Sequence, residues 1–402
     1  MKILLVHNAY RQPGGEDVVF EQERQMLERA GHSVTTYHRS NLEIDQHSPL
    51  ERLALAPQVI WSPRTRREVA EILAREKPQV VHIHNTFIMV SPAIYSACRE
   101  ARVPVVQTLH NYRLLCPAAT FFRDDRLCEE CLDHSLWRSV LHACYHDSHA
   151  ATSVVAVMLA AHRWGNTWAK GVDCFIALSE FSRRKFLEGG MAGEKVVVKP
   201  NFVYPDPGVG DGSGGHAIFI GRLTPEKRVL TLLLAWEKLH SRIPLLIVGT
   251  GPQHVMLETY AKQAGLSGVF FLGQLPREEG IAQLKRARFL VFTSEWYENF
   301  PVTIAEAFAC GVPVICSRLG AMPEIVADTR TGLHFSPGEP EDLAQKVEWA
   351  WTHPEQLAAM GKEARKEYEN KYTVEKNYPM LMEIYQRAIS SYEQRETDSR
   401  QN

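Results

Sequence analysis

Glu298 and Glu306 bracket the most chemically loaded stretch of this 402-residue chain, Ser294-Glu295-Trp296-Tyr297-Glu298-Asn299-Phe300-Pro301-Val302-Thr303-Ile304-Ala305-Glu306-Ala307. An apolar run of buried-strand type precedes it, and helical spacing begins near residues 301–303. The first amides of a helix have no partner within it, and the helix dipole adds positive charge there. This turn therefore offers an anion site. Carboxylates are poor phosphate ligands but good acceptors for sugar hydroxyls. A phosphate flanked by two polyols, as in a nucleotide sugar, suits the arrangement. Thr303 and Glu306 also fit Thr-x-x-Glu, the signature of a capping box, and alone that plainer reading is the stronger.

Other stretches point the same way. Gly221-Arg222-Leu223-Thr224-Pro225-Glu226-Lys227-Arg228 follows an apolar run at 217–220. Arg222 offers a planar fork and Lys227 a point charge, together enough to hold a diphosphate. A solvated basic loop is the alternative. Gly249-Thr250-Gly251-Pro252, after the run 245–248, allows close backbone approach but is no full dinucleotide fingerprint. Pro13-Gly14-Gly15-Glu16-Asp17 precedes helical spacing and could set amides against a phosphate. His110 ends an apolar run, where a lone histidine is more often structural than catalytic. His82 and His84 lie two apart, so on a strand they share a face and could make half a metal site. Without a nearby carboxylate, strand-end residues facing a cleft is the preferred reading.

The elements that position these residues follow from periodicity. Apolar runs at 2–6, 33–37, 80–83, 105–109 and 174–178 alternate with helical spacing at 18–30, 66–75 and 93–102. After residues 200–215, rich in proline and glycine and the best linker candidate, the alternation restarts with strands at 217–220, 245–248, 269–272, 289–293 and 314–317. Strands alternating with helices imply parallel α/β sheets covered on both faces. The expectation is two doubly wound units with ligands at strand C-termini.

In these motifs and their order the chain resembles a family-4 retaining glycosyltransferase of the GT-B fold. The carriers are Glu298-x7-Glu306-Ala307, Gly221-Arg222 with Lys227, Gly249-x-Gly251-Pro252, Gly320 with Pro323-Glu324-Ile325-Val326, Thr331-Gly332, and Gly14-Gly15. The resemblance implies two Rossmann-like domains about a central cleft: an acceptor-side domain at 1–205, a nucleotide-sugar domain at 206–375, and a tail at 376–402 packing back on the first. It implies that Glu298 binds a sugar hydroxyl, Glu306 the ribose, and Arg222 and Lys227 the diphosphate. Phe300, Val302 and Thr303 would complete the donor site. Gly15 would pack against phosphate or acceptor, and His110 would lie near the reacting carbons. The donor would be a UDP-, GDP- or ADP-sugar and the acceptor a glycan or lipid-linked molecule, in surface polysaccharide or glycoconjugate synthesis. The leaving phosphate would help remove the acceptor's proton on the same face. No Asp-x-Asp occurs, in keeping with chemistry that needs no metal cofactor. An epimerase of the same architecture, or a non-catalytic nucleotide-sugar binder, is the competing reading.

Cys116, Cys128, Cys131 and Cys144 form C-x11-C-x2-C-x12-C within a polar insert at 116–144. Free thiols are the plainer reading; the four could instead bind one structural Zn²⁺, with disulfides or an iron–sulfur cluster the remaining alternatives. A net charge of −2 gives no reason to expect nucleic acid. The N-terminal run lacks the features of a signal peptide, so a cytoplasmic location is expected. Phe87-Ile88-Met89-Val90, and Trp61 with Arg64, Arg66 and Arg67, could meet a membrane surface peripherally on its inner face. A core edge and a solvated helix face are the plainer explanations.

Overall fold

The computed structural model describes every residue except 12–13, 47–54, 241 and 402, so Pro13 of the early glycine motif lies outside the described residues. The chain forms two compact units. The first comprises Met1–Phe121, Cys128–Pro200 and Asn377–Asn402, and the second Phe122–Leu127 and Asn201–Lys376.

The first unit is built on β1 (Lys2–Ala9), β2 (Ser33–Ser40), β3 (Val80–Ile83) and β4 (Val105–Thr108). A hairpin, β5 (Phe122–Arg123) and β6 (Arg126–Leu127), interrupts the series before β7 (Cys174–Ala177) and β8 (Val196–Val198). The sheet order is β2-β1-β3-β4-β7-β8, parallel throughout. Residues 3–6, 80–83 and 174–177 are buried on both faces, which is why they read as unbroken apolar runs rather than alternating ones. Strand order reverses between β1 and β3, so the loops after these strands diverge and leave a crevice.

The second unit repeats the plan with β9 (Ala217–Ile220), β10 (Leu245–Val248), β11 (Val269–Gly273), β12 (Phe289–Phe292), β13 (Val314–Ser317) and β14 (Gly332–Phe335). Their order is β11-β10-β9-β12-β13-β14, again all parallel. Ala217, Phe219, Leu232, Leu233, Trp236, Phe289 and Val291 form part of its buried core. Each large apolar side chain removed from water there contributes about 1.5–3 kcal/mol. The switch point lies between β9 and β12, where the Gly221 and Ser294 loops begin.

Two expectations are corrected here. Residues 201–215 are not a free linker but lie along the second unit. The amides of Gly210, Gly212 and Gly214 donate to the carbonyls of Cys310 (2.8 Å), Lys285 (3.2 Å) and Arg286 (2.9 Å). A Cβ on Gly210 would come within 2.1 Å of the Lys285 carbonyl oxygen, so close backbone approach, not flexibility, requires that glycine. Phe87, Met89 and Val90 are buried, so this run is core and offers no apolar face to a membrane. No described helix is long and apolar enough to cross a membrane.

Candidate active site

In the second unit the helix after β12 spans Val302–Ala309, with Pro301 as its N-cap and no side chain capping the first turn. Thr303 lies inside the helix, so the capping-box alternative for Thr303 and Glu306 does not hold. The leading amides, those of Val302 and Thr303 among them, therefore have no side-chain acceptor and remain suited to an anion. Phe300 just before them is buried, with its ring against Tyr372 at a centroid distance of 5.3 Å. Its side chain anchors the loop, so any share it has in a ligand falls to its backbone.

Glu298 is almost wholly buried, and its Oε1 accepts from Ser294 Oγ (2.7 Å), Trp296 Nε1 (2.6 Å) and Lys227 Nζ. Burying that charge demands those three donors. Among the described residues no donor reaches Oε2, which leaves one oxygen for a hydroxyl. Lys227 Nζ also stands over the Phe292 and Trp296 rings, at 5.1 and 5.5 Å from their centroids. Thr293 Oγ1 donates to the Lys227 carbonyl (2.7 Å), and Arg228 Nε donates to Glu295 (2.9 Å). These bonds lace the loop after β9 to the loop after β12.

Glu306 accepts from Arg277 Nε at 2.9 Å, and burial raises its carboxyl above the ordinary range while Arg277 partly offsets this. Arg277 was not legible as a site residue, because it enters from the helix Arg277–Arg286 and nothing in its local sequence marks it. Arg222 is exposed and, among the described residues, has no partner. Gly249 and Gly251 hold the Arg222 backbone in place. A Cβ at either would meet the carbonyl oxygens of Gly221 (1.9 Å) or Leu223 (2.4 Å). Their glycine identity thus follows from loop packing, and a ligand is not needed to explain it.

In the first unit, Gly15 is the exposed first residue of the helix Gly15–Arg29, and the Gly14 amide donates to Asp17 Oδ2 at 2.7 Å. Next to it stands Glu16, to which the sequence reading gave no role. Its carboxyl accepts from Asn85 (2.8 Å) and Asn111 (3.4 Å). Burial first, and the Asp17 charge second, push it up to about 8. His110 follows β4, is partly exposed, and meets His84 Nδ1 through its Nε2 at 3.0 Å.

His82 and His84 face the core rather than a cleft, being 0% and 3% exposed. The missing carboxylate exists: Glu23, on the helix Gly15–Arg29, brings its ligand atom to within 4.8 Å of theirs. Most of the ligand atoms of these groups are already hydrogen-bonded. Lys199 Nζ donates to Glu23 Oε1 (2.7 Å), while the His82 nitrogens meet Tyr385 Oη (2.9 Å) and Thr108 Oγ1 (2.8 Å). The buried ammonium already balances the carboxylate, so a cation would add unpaired charge.

The four insert cysteines are all free thiols. Burial pushes the Cys131 thiol up to about 12, and Cys116, Cys144 and Cys128 lie near enough to add to the rise. Among the described residues the only trio of ligand atoms mutually within 4.8 Å is the Glu23 set, so no three of the four thiols come that close together. Tetrahedral zinc with bonds of about 2.3 Å needs sulfurs about 4 Å apart.

Comparison with known proteins agrees with this architecture. Residues 13–206 match the family described as Glycosyltransferase Family 4, and residues 212–367 match Glycosyl transferases group 1. Over 158 residues the chain is 32% identical to the D-rhamnosyltransferase WbpZ of Pseudomonas aeruginosa, covering 39% of this chain and 41% of that protein. It is also 32% identical over 139 residues to the O-antigen chain mannosyltransferase B of Escherichia coli, covering 33% and 36%. The chain therefore spans less than half the length of either relative. The crystal structure of Anabaena HepE with UDP superposes with a TM-score of 0.67 at 18% identity, over 95% of this chain and 99% of that one. At that identity the likeness shows the fold, which is GT-B.

Proposed function

Because the chain belongs to the family-4, group 1 glycosyltransferases, we propose that it moves a sugar from a nucleoside diphosphate donor to a glycan or lipid-linked acceptor, with retention of anomeric configuration. The relatives named for rhamnosyl and O-antigen mannosyl transfer support a role in surface polysaccharide synthesis. HepE, crystallised with UDP, supports a nucleotide-bearing donor, and UDP-, GDP- and ADP-sugars are the candidates to test.

The observation that carries this reading is the assembly around the β9/β12 switch point. It gathers an uncapped helix N-terminus, two cations, and two carboxylates that each keep an oxygen free among the described residues. Arg222, Lys227 and the amides of Val302 and Thr303 hold the diphosphate and take up the charge that grows on it as the glycosidic bond breaks. Glu306 takes the ribose hydroxyls and Glu298 a hydroxyl of the sugar. Gly15 contacts phosphate or acceptor through its backbone, and His110 contacts a sugar hydroxyl near the reacting carbon. As the bond from the anomeric carbon to the phosphate oxygen breaks, the acceptor oxygen bonds that carbon on the face the phosphate leaves and gives its proton to the departing phosphate oxygen, which preserves configuration. The cations and amides supply the electrostatic role of a metal, so turnover needs no divalent ion.

Zinc, in this reading, is structural only. Cys116, Cys128, Cys131 and Cys144 supply the soft donors it prefers, and binding it would draw the insert tighter than it stands.

The test is release of nucleoside diphosphate from UDP-, GDP- and ADP-sugars, with and without candidate acceptors, in EDTA. Acceptor-dependent release with a retained anomeric proton coupling in the product is expected. Inversion, or loss of turnover in EDTA restored by Mg²⁺ or Mn²⁺, would overturn the mechanism. Binding without release under any acceptor would leave only a binding protein.

A further inference from the structure

Beneath His110 lies a buried polar chain that the reaction above does not use. Glu23 is 1% exposed and held by Lys199 Nζ at 2.7 Å, and Lys199 also donates to Asn377 Oδ1 at 2.9 Å. Glu23 Oε2 lies 3.2 Å from His84 Nε2, and His84 Nδ1 lies 3.0 Å from His110 Nε2. The His84 and His110 rings are only 20° apart in plane, with centroids 5.2 Å apart. That spacing sets them edge to edge, so the nitrogens meet nearly in the ring planes.

The proton positions follow from what each group can do. Beside a buried ammonium Glu23 is ionised, held well below the usual carboxylate range, and an ionised carboxylate only accepts. Burial lowers both His84 and His110, so each ring is neutral and carries one proton. His84 avoids aiming a lone pair at the carboxylate by keeping its proton on Nε2. Its Nδ1 is then an acceptor and His110 must donate from Nε2. Nδ1 of His110 is left with a lone pair.

We propose that Glu23 and His84 are positioning residues that lock His110 in its Nε2–H tautomer, so that Nδ1 accepts a hydrogen bond from a donor-sugar or acceptor hydroxyl. The inference rests on the place given to His110 under the proposed function. Helix Gly15–Arg29 supplies Glu23, His84 directly follows β3, and Lys199 directly follows β8, so the sheet itself fixes the chain. A ring free to take either tautomer would present a donor to the hydroxyl in part of the population, and such a population binds less well.

Glu23→Gln reverses the chain by a forced choice. Lys199 can only donate, so the glutamine carbonyl must face it and the amide NH₂ must face His84. His84 then accepts at Nε2, carries its proton on Nδ1 and donates to His110 Nε2. His110 moves its own proton to Nδ1. Imidazole ¹⁵N–¹H correlation spectra of the full chain read both tautomers directly. Expected are an Nε2–H signature for His110 in the wild-type protein and an Nδ1–H signature in Glu23→Gln. Transfer should fall about tenfold or more in kcat, with binding of the bare nucleoside diphosphate unchanged. A wild-type Nδ1–H signature overturns the proposal with no variant required. An unmoved tautomer in folded Glu23→Gln also overturns it. His110→Ala tests the underlying assignment separately. If transfer survives at the wild-type rate, His110 is outside the reacting site and Glu23 has no such role. If transfer is lost but the tautomer is unmoved in Glu23→Gln, the site reading stands and the positioning role fails alone.

Discussion

Lys227 and Arg222 bring the same charge into the loop after β9, but they do so in different circumstances. Arg222 is exposed and, among the described residues, has no partner, so Arg222→Ala should leave the melting temperature unchanged. It should still weaken nucleoside diphosphate by about 1.5–3 kcal/mol, the worth of a charge-assisted bond. Lys227 neutralises the buried Glu298, so Lys227→Ala should lower stability as well as affinity. Calorimetric titration beside thermal melts separates the two, and unchanged diphosphate affinity in either variant would make this loop solvated surface. The two glutamates divide by ligand. Glu298→Gln can keep all three donors on its carbonyl oxygen and should stay folded. It should lose sugar transfer yet bind bare diphosphate normally. Glu306→Gln should weaken bare diphosphate, because its proposed partner is the ribose. Wild-type binding by Glu306→Gln would refute the ribose contact, and wild-type transfer by Glu298→Gln would refute the sugar contact. Glu16 gives a pH signature. Its folded value of about 8 lies above the ordinary 4.5, so the folded state prefers the protonated carboxyl. That preference is fully satisfied below the unfolded value and is lost as pH rises toward 8. Glu16→Gln should therefore match wild type in stability near pH 4 and exceed it near pH 8. The gain should be about 1–2 kcal/mol, since Glu16 keeps some solvent access. Parallel denaturation at both values decides it, and an equal gain at each would refute the titration.

Elements were more legible than the bonds between them. Parallel strands buried on both faces print themselves as apolar runs, so β3, β7, β9, β10 and β12 can be read from residue type alone. The helix after β12 was legible too, but its cap was not. Thr-x-x-Glu fits a capping box, and only the backbone shows that Pro301 is the N-cap. Residues 201–215 misled because glycine chosen for close approach has the same composition as glycine chosen for flexibility. Glu23 and Arg277 were invisible as site residues since their partners, His84 and Glu306, come from other elements and leave no local pattern. The cysteine insert is the element whose order the sequence leaves most open. Its hairpin turns through Asp124 and Asp125, both at positive φ, as a two-residue type I′ turn requires. Beyond that it has only the short helices Glu130–Asp133 and Trp137–Leu141. If zinc orders it, protein prepared under reducing conditions without chelator should carry one zinc per chain. Removing the metal should lower the melting temperature by several degrees and leave nucleotide affinity intact. Cys128→Ser with Cys131→Ser should then lose the metal. Metal-free protein with an unchanged melting temperature would make the four cysteines ordinary thiols.

At the scale of the whole molecule, an acceptor carried on a lipid would require a surface that meets the membrane. Phe87–Val90 cannot be that surface, since three of its four residues are buried. A different patch on the first unit is exposed. Trp164 is 91% exposed at the end of the helix His149–Trp164, and Val157 on the same helix is 53% exposed. The Trp61 ring stacks on His162 of that helix at 6.3 Å, and His149 meets the Val140 carbonyl at 2.6 Å. The latter contact brings the exposed Trp137 and Leu141 alongside. Arg67 and Lys170 are exposed and, among the described residues, without partners, whereas Arg64 and Arg66 are spent on Glu68 and Glu100. Indole rings at an interface, with a few free cations beside them, favour an anionic lipid surface over a neutral one. The expected result is sedimentation with phosphatidylglycerol-containing vesicles, weak binding to pure phosphatidylcholine, and loss of binding as salt shortens the reach of the charges. Trp61→Ala with Trp164→Ala should reduce vesicle binding roughly tenfold while leaving transfer to a soluble acceptor unchanged. Equal binding by this variant would place the membrane face elsewhere. Absence of binding to either vesicle would return these tryptophans to the class of exposed apolar residues that need no explanation.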